Sequence, residues 1–325
     1  MSSSGPARRM PQTSGRRVVA LGGGHGLAAS LRALRRVTDD VTAVVAVSDD
    51  GGSSGRLRRE FDVVPPGDLR MALAALCGDD SWGRTWSRVV QHRFAGNGPL
   101  AGHSLGNLLI TALWEETGDI VTGLDWVGAL LGAHGRVLPV ATEPLQVVAD
   151  VIGLHPHDPN IVERITGQVE VASTRGQVVA LRIEPADAQA CSAALEAITD
   201  AEAIVLGPGS WFTSVLAPML VPGIADAVQS SRGRVIVVLN LAAQPGETSG
   251  FSPHRHLEVL AAQVPGLRVD TVLADPSRVT DVDTLAAAAS ALGGRLVLAP
   301  VASREGTPHH DVDLLASAFG GILVG

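Results

Sequence analysis

VVALGGGHGLAASLRALRRV, residues 18–37, joins a short apolar run, a glycine-rich turn and an amphipathic, helix-like segment. The apolar run has the length and composition of a buried strand. Glycine lets the backbone approach a ligand closely, and a helix that starts at such a turn presents free N–H groups and the positive end of its dipole. This stretch therefore predicts a strand-turn-helix unit that binds an anionic, nucleotide-like ligand.

A second unit of the same kind follows at VTAVVAVSDDGGSSG, residues 41–55. Parallel strands end at one edge of a sheet, so we expect this turn to lie beside the first one. Later apolar runs lead into GPGS at 207–210, NLAAQPGET at 240–248 and AD at 274–275. Five strand exits are therefore expected to converge on one site.

The intervening residues predict a helical insertion and a small β-rich edge region. Helical spacing occurs in PPGDLRMALAALC (65–77), in residues 84–94, in LAGHSLGNLLITALWEETG (100–118) and in LDWVGALLGAH (124–134). Short strands are predicted at RVLPVAT (136–142), LQVVADVIG (145–153), QVEVAST (168–174) and VVALRIEP (178–185). Together with the alternating units, these segments predict an α/β fold built on a mostly parallel sheet.

Length and composition fit one large core. We expect a disordered tail over residues 1–17 and a single domain over residues 18–325. No apolar stretch approaches the roughly 20 residues of a membrane span, and the tail has no apolar signal segment, so we expect a cytoplasmic protein. Cys77 and Cys191 stand apart from any C-x-x-C spacing and are expected to be buried hydrophobic residues.

Charge and residue choice exclude several kinds of chemistry. All 25 basic residues are arginine, so a Walker A lysine, a Schiff-base lysine and a lysine general base are ruled out. A net charge of −8 argues against nucleic acid as a partner. Arg56 either belongs to a solvated helix face or reaches back to a phosphate. A homodimer is expected only because homodimers are common.

The two opening turns supply most of the candidate ligand-binding residues. These are Gly23, Gly24, His25, Gly26, Asp49, Asp50, Gly51, Gly52, Ser53 and Ser54. Asp49 lies near the distance at which an acid binds a ribose hydroxyl after a dinucleotide-type turn. Alternatively, Asp49 and Asp50 hold Mg²⁺ beside a diphosphate, or Asp50 or Ser53 merely caps the next helix through an Asx turn. Asp68 is either a plain helix N-cap or a ligand contact.

Three further segments contribute candidates. AGHSLGN places two glycines at the start of a helix, at a cost of roughly 1 kcal/mol for each one inside it, so His103, Ser104 and Asn107 are expected to contact ligand oxygens. Ser104 is not part of a G-x-S-x-G elbow and is not expected to be a nucleophile. In QPGET, Glu247 and Thr248 cap the following helix, or Gln244 and Thr248 contact sugar hydroxyls. The remaining candidates from the strand exits are Gly207, Gly209, Ser210, Asn240 and Glu247.

Seven motifs in order give the chain a family resemblance. They are GGGHGL, SDDGGSSGRLRREF, PPGDLR, AGHSLGNLL, RGQV, VLGPGSWFTSV and NLAAQPGET. In this order and spacing the chain resembles, from Val18 onward, the family of the gluconeogenesis factor YvcK, relatives of the phospholactate transferase CofD. The resemblance implies a Rossmann-like three-layer α/β/α fold and a UDP-sugar ligand such as UDP-N-acetylglucosamine. It also implies a role in linking carbon metabolism to cell shape and cell-wall synthesis, by members that bind rather than catalyse.

The chain departs from the family pattern at three places. His25 stands where the first turn usually has Thr, which exchanges a hydroxyl donor for an imidazole. Trp211 and Phe212 stand where an aliphatic residue and Tyr are usual, so stacking on a base is expected to survive without the phenolic hydrogen bond. The motif usually written NVMTQPGET has Leu-Ala-Ala at 241–243 here, which removes a Thr hydroxyl.

Two functions are consistent with these observations. The first is a nucleotide-sugar sensor whose output is contact with other proteins. The second is a CofD-like transferase in which Asp49 or Asp50 holds Mg²⁺ and an alcohol attacks an activated nucleotide diphosphate donor. An NAD(P)-dependent oxidoreductase is disfavoured, because the glycine fingerprint is imperfect and the chain has no Tyr to act as a proton donor.

Overall fold

Seven parallel strands form the central sheet of the computed structural model, which describes residues 14–244, 246–303 and 307–324. The strands of the molecule are β1 (Ser14–Gly22), β2 (Thr38–Val45), β3 (Arg136–Pro139), β4 (Gln146–Ile152), β5 (Glu163–Thr166), β6 (Gln177–Glu184), β7 (Ala203–Leu206), β8 (Arg234–Val238), β9 (Thr271–Ala274) and β10 (Arg295–Leu298). The central sheet has the order β10-β9-β8-β7-β1-β2-β3, and the antiparallel β5-β4-β6 sheet accompanies it.

Helices flank the sheet. They are α1 (Gly24–Leu34), α2 (Gly52–Phe61), α3 (Gly67–Leu76), α4 (Ser81–Gln91), α5 (Leu105–Thr117), α6 (Ile120–Leu131), α7 (Gln168–Ser173), α8 (Ser192–Thr199), α9 (Ala217–Met219), α10 (Ile224–Ser230), α11 (Pro253–Gln263), α12 (Val282–Ala291) and α13 (Val312–Val324), with a π-helix at Trp211–Leu216 and a 3₁₀ turn at Pro276–Arg278. The predicted helical insertion is confirmed, because α3, α4, α5 and α6 pack against one another between β2 and β3.

The order of the strands reverses beside β1. From β1 the chain proceeds outward through β2 and β3, and β7 then returns to the other side of β1 before β8, β9 and β10 proceed in the opposite direction. Leu21 therefore pairs with Val44 on one side and with Leu206 on the other. Ligands of open α/β sheets bind at the carboxyl ends of the strands next to such a switch point.

One apolar core supports both sheets. Val18, Leu21, Val205 and Val237 are buried, as expected for parallel strands covered on both faces. The same buried cluster includes Val147 and other apolar residues of the small sheet. Cys77 and Cys191 are also buried in it and unpaired, which confirms their predicted role as small hydrophobic residues.

One prediction of secondary structure is wrong, and one predicted strand lies in the other sheet. Residues 168–174 are not a strand, since α7 occupies Gln168–Ser173. The reason is tertiary: the carboxylate of Asp50 accepts a hydrogen bond from the first turn of α7, and Val171 of this helix is buried in the core. RVLPVAT belongs to the main sheet and not to the small one, because β3 pairs with β2.

The predicted tail begins outside the described residues, which start at Ser14. β1 also starts at Ser14, so the last four residues of the predicted tail belong to a strand. The hydroxyl of Thr38 donates to the carbonyl of Arg16, and the N–H of Arg17 donates to the carboxylate of Glu202. Hydrogen bonds from polar groups thus extend β1 toward its N-terminus, beyond the apolar residues that predicted the strand.

Among the residues that the structure describes, no single helix is both long and apolar enough to cross a bilayer. The bent pair Trp211–Met219 and Ile224–Ser230 meets the length and composition test only when its two parts are taken together.

The turns after β1 and β7 touch through their backbones. A Cβ atom on Gly26 would lie 2.1 Å from the carbonyl oxygen of Pro208 and 2.7 Å from the Cα of Gly209. Neither of these atoms can move without shifting a strand exit. Glycine at position 26 is therefore a packing requirement of the switch point itself.

We expect Gly26→Ala to destabilise the protein by about 2 kcal/mol or more, since the added methyl group overlaps backbone atoms that cannot yield. Urea unfolding would measure the change. Gly321→Ala is the matched control, because Gly321 is an exposed helical residue with no atom within 4 Å of its built Cβ. It should be neutral or stabilising by up to about 1 kcal/mol. Equal effects of the two substitutions would contradict this account of the switch point.

Candidate functional site

Two helices begin at the carboxyl edge of the sheet next to the switch point. α1 starts at Gly24, where a φ of +62° suits glycine, and α2 starts at Gly52. The N-cap residues, Gly23 and Gly51, have no side chain to cap these helices, and neither first turn contains an acidic residue. From α3, the carboxylate of Asp68 accepts the N–H of Gly24. His25 is exposed in the first turn of α1. The free N–H groups and the dipoles of both helices therefore favour negative charge at this edge.

The two aspartates of the second turn have separate backbone partners. Asp49 Oδ1 accepts the N–H of Gly51 at 3.0 Å, which makes Asp49 the Asx-turn residue. Asp50 Oδ1 accepts the N–H of Val169 at 3.1 Å and so joins this turn to α7. The expectation that Asp50 or Ser53 caps α2 is therefore wrong, since neither side chain bonds to the start of that helix.

Binding of a metal ion by Asp49 and Asp50 stays a prediction. No group of three or more His, Cys, Asp or Glu side chains among the described residues could hold a metal ion. Asp49 and Asp50 each accept one backbone hydrogen bond, from Gly51 and Val169. Each carboxylate keeps further oxygen lone pairs, which are the ligands that Mg²⁺ prefers.

Asp68 connects the first two turns. It lies in the first turn of α3 but makes no capping bond there, so the simple N-cap interpretation is wrong. Its carboxylate accepts the N–H of Gly24, and a Cβ on Gly23 would lie 2.4 Å from its Oδ2. Burial and, to a smaller extent, the negative charge of Asp49 raise the pKa of Asp68 to about 7, against the opposing effects of Gly24 and Arg70.

A buried polar network supports the second turn from behind. Ser53 Oγ lies 3.0 Å from His103 Nδ1 and accepts hydrogen bonds from Asn107 Nδ2 at 3.1 Å and from the N–H of Ser104 at 3.3 Å. Asn107 Nδ2 also lies 3.4 Å from Ser54 Oγ. All five residues are buried. The network offsets the cost of glycine and polar residues at the start of α5 without any ligand.

Arg70 completes this network and was not singled out from the sequence. It donates to Ser104 Oγ at 3.1 Å, and Ser104 in turn donates to the carbonyl of Val90. Burial lowers the pKa of both Arg70 and His103, which favours the neutral form of the imidazole. Asn107 Oδ1 is buried and has no hydrogen-bond partner among the described residues. A polar side chain inside an apolar helix pattern was the available signal for Arg70.

Arg56 bonds to protein rather than standing free at the site. Its guanidinium donates to the carbonyl of Ala101 at 2.7 Å and to the carbonyl of Pro99. It thereby secures the loop that leads into α5. Contact between Arg56 and a phosphate stays a prediction.

The exits of β7 and β8 are joined by side-chain amides. Asn240 accepts from the N–H of Gly209 at 3.0 Å and donates to its carbonyl at 2.8 Å. Gln244 Oε1 accepts the N–H of Trp211, and Gln244 Nε2 donates to Ser210 Oγ at 3.3 Å. Thr248 Oγ1 accepts the N–H of Gln244 at 2.8 Å. Gly207 takes a φ of +76° at the start of this exit.

Glu247 caps a different helix from the one predicted. Its Oε2 accepts the N–H of Phe212 at 3.1 Å, and its Oε1 accepts the hydroxyl of Thr213 at 2.6 Å. The carboxylate therefore stabilises the π-helix that follows β7, whereas α11 has Ser252 at its N-cap. Burial raises the pKa of Glu247, and the hydrogen bonds from the π-helix oppose the increase. The sequence did not indicate this contact, because Glu247 and Phe212 are 35 residues apart in the chain.

The predicted base-stacking role of Trp211 and Phe212 is wrong. Both rings are buried, with 0% and 1% exposure, so neither can meet a ligand. Trp211 packs edge-on against His256, at 5.0 Å between ring centroids. Phe212 packs against Phe251 in the same manner. The π-helix turns both side chains into the core.

The polar side chain at the exit of β9 bonds to the protein backbone. Asp275 Oδ2 accepts the N–H groups of Val301 and Ala302 at 2.7 and 2.8 Å, and so ties β9 to the segment after β10. His310, which was not singled out from the sequence, hydrogen-bonds the backbone of Leu239 at the neighbouring exit. Burial lowers the pKa of His310 to about 4. The five predicted exits thus share one edge, although several of their polar side chains are used internally.

We expect Asp68→Asn to raise the melting temperature at pH 8 and to change it little at pH 4. The folded-state pKa of about 7 exceeds the ordinary value of 3.8, so the folded protein binds more protons between these values and loses stability as the pH rises. The amide can still accept the N–H of Gly24, and it removes the buried charge, whose cost is roughly 4 kcal/mol.

Thermal melts from pH 4 to pH 8 measure this effect, with the exposed Asp187→Asn as the control. A stabilisation by Asp68→Asn that does not depend on pH would contradict the raised pKa.

Most of this chain is similar in sequence to proteins of a known family. Residues 18–292 match the CofD family, described as 2-phospho-L-lactate transferase CofD. A gluconeogenesis factor of Halalkalibacterium halodurans is 37% identical over 264 residues, which cover 81% of this chain and 79% of that protein. A Mycobacterium tuberculosis relative, to which the same name is given provisionally, is 52% identical over 308 residues, covering 94% of this chain and 90% of that protein.

The fold agrees with a solved relative. The crystal structure of a UPF0052 family member from Bacillus halodurans superposes with a TM-score of 0.84 at 31% identity, covering 97% of this chain and 100% of that one. The family resemblance carried by the seven motifs is confirmed. The chain therefore belongs to the CofD family, and its relatives there carry the name gluconeogenesis factor.

Proposed function

We propose that this protein is a cytoplasmic regulatory factor that binds UDP-N-acetylglucosamine or a similar nucleotide sugar. Its output is contact with other proteins, through which it links gluconeogenic carbon metabolism to cell shape and cell-wall synthesis. The observation that carries the proposal is the pair of helices, α1 and α2, that start at glycine turns beside one switch point, where Asp68 takes the N–H of Gly24. A diphosphate supplies the negative charge that these termini favour.

Backbone amides are the expected diphosphate ligands. Arg56 and Arg58, the basic side chains closest in sequence to the second turn, both donate to backbone carbonyls elsewhere in the protein. The N–H groups at the starts of α1 and α2 that Asp49 and Asp68 leave free are therefore the expected donors to a diphosphate. Recognition by a rigid backbone suits a sensor, because it needs little rearrangement on binding.

The internal use of the polar side chains supports binding over nucleophilic catalysis. The closest approach to a nucleophile and base is Ser53 and His103, whose side chains lie 3.0 Å apart. Ser53 Oγ also accepts hydrogen bonds from Ser104 and Asn107. Because these bonds occupy the lone pairs that an attacking oxygen needs, Ser53 is a structural hydroxyl.

We expect UDP-N-acetylglucosamine to raise the melting temperature. A ligand at 100 times its dissociation constant adds about 2.7 kcal/mol. His25→Ala should weaken the affinity by about fivefold, the value of one hydrogen bond, and should leave the unliganded melting temperature unchanged because the ring is exposed. His157→Ala, in an exposed loop, is the control. If saturating UDP-N-acetylglucosamine leaves the melting temperature unchanged, the proposal is rejected.

A second candidate, a Mg²⁺-dependent transferase, rests on the Asp49 and Asp68 carboxylates. Each makes a bond to a glycine of the opening turns, and the charge of Asp49 raises the pKa of Asp68. A divalent cation held by Asp49 together with Asp50 or Asp68 would offset this repulsion and would supply charge stabilisation at a diphosphate. The residues fit such an ion through oxygen donors alone.

The two candidates differ in turnover. We expect the purified protein with Mg²⁺ and an activated nucleotide diphosphate donor to release no nucleotide above background, with or without a deazaflavin alcohol as acceptor. Release that depends on Mg²⁺ and is lost in Asp49→Asn would establish the transferase instead. Liquid chromatography of the nucleotide products gives the measurement.

A further inference from the structure

A polar cavity of about 420 Å³ lies beyond the switch point, between the small sheet and the loop that precedes α11. Its lining includes Arg175 and Gln177 from the small-sheet side, and Ser249, Ser252 and Arg255 from the loop side. A neighbouring cavity of about 550 Å³ shares Arg175 and Ser249 with it. Arg175 therefore stands where the two cavities meet.

Among the described residues that line this cavity, Arg175 is a cation without an acidic partner. Arg255 pairs with Glu258 at 2.8 Å, and the Nε2 of His254 lies 3.0 Å from Ser252 Oγ. The carboxylate of Glu247 also lines the cavity, but Phe212 and Thr213 hold both of its oxygens. Arg175 is exposed and makes no ion pair or hydrogen bond with any described side chain.

The walls of the cavity are held in place by close backbone packing. A Cβ on Gly246 would lie 2.1 Å from the carbonyl oxygen of Ala172, so the loop sits directly on the end of α7. At the other end of α7, Val169 donates to Asp50 of the second turn. α7, a helix of six residues and about 9 Å in length, therefore connects the second turn to the loop beside the cavity.

We propose that Arg175 and residues Ser249–Arg255, which form the loop before α11 and its first turn, make an anion-binding site for a phosphate or carboxylate group of a small metabolite. The planar guanidinium offers two parallel donors that match either group. Ser249 adds a hydroxyl from the opposite wall. The site lies apart from the starts of α1 and α2. Binding of a free metabolite there does not depend on the proposed function, whereas binding of a nucleotide-linked group rests on it.

Two sources can supply the anionic group. One is a free phosphorylated or carboxylated metabolite that binds the cavity alone. The other is an acidic sugar on a nucleotide whose diphosphate lies at the switch point, because α7 connects the second turn there to the loop beside the cavity over a helix length of about 9 Å. The chemistry that Arg175 recognises is the same in both.

The test uses inorganic phosphate, UDP-N-acetylglucosamine and UDP-glucuronic acid as probes of the full chain at low ionic strength. Affinities are measured by calorimetry and by phosphorus NMR titration. We expect Arg175→Gln to weaken binding of phosphate, or of UDP-glucuronic acid relative to UDP-N-acetylglucosamine, by about tenfold or more, the value of a hydrogen bond to a charged group. Arg175→Lys should show a smaller loss, since it keeps the charge but not the fork.

Arg232→Gln, at an exposed arginine after α10, is the matched control and should change none of the affinities. Loss for phosphate identifies a free anion as the ligand, and loss confined to UDP-glucuronic acid identifies an acidic sugar. If Arg175→Gln leaves all three affinities equal to those of the control, the proposal is overturned. Failure of UDP-N-acetylglucosamine to bind either protein would instead reject the nucleotide-sugar function.

Discussion

The contact between two glycine turns at the switch point is the constraint on which the rest of the site depends. β1 and β7 are neighbours in the sheet, and the turns that leave them approach until Gly26 lies against the backbone of Pro208. That approach fixes where α1 begins. It also brings the Asn240 exit and the Asp68 carboxylate to the same edge, through hydrogen bonds to Gly209 and Gly24.

The polar side chains at this edge mainly hold the backbone in place. Hydrogen bonds to neighbouring elements use donors or acceptors of Ser53, Asn107, Gln244 and Glu247. Each such bond contributes only about 1 kcal/mol, but a buried group left without a partner costs about 1–3 kcal/mol. The network therefore specifies one arrangement of the turns. Apart from the N–H of Gly24, which Asp68 accepts, the backbone N–H groups at the helix starts are left for a ligand, which is the arrangement expected of a preorganised anion site.

The two buried carboxylates show how environment separates similar groups. Burial raises the pKa of both Asp68 and Glu247. Glu247 is offset by donors from the start of the π-helix, so its charge is part of a cap. Asp68 has one backbone donor and the charge of Asp49 nearby, so its ionised form is costly. An ion or a proton at this position would change the stability of both turns at once.

Local pattern determined the elements and the glycine turns, because apolar runs followed by glycine-rich exits depend only on neighbours in sequence. The parallel sheet, the four-helix insertion and the shared edge of the five exits were therefore accessible from the sequence, and the order of the motifs was enough to give the family. Contacts between distant residues were not accessible. The first turn of α7 is held by the carboxylate of Asp50, Glu247 caps a helix 35 residues earlier in the chain, and Trp211 faces the core. In each case the partner is chosen by packing across the sheet, which no local pattern encodes.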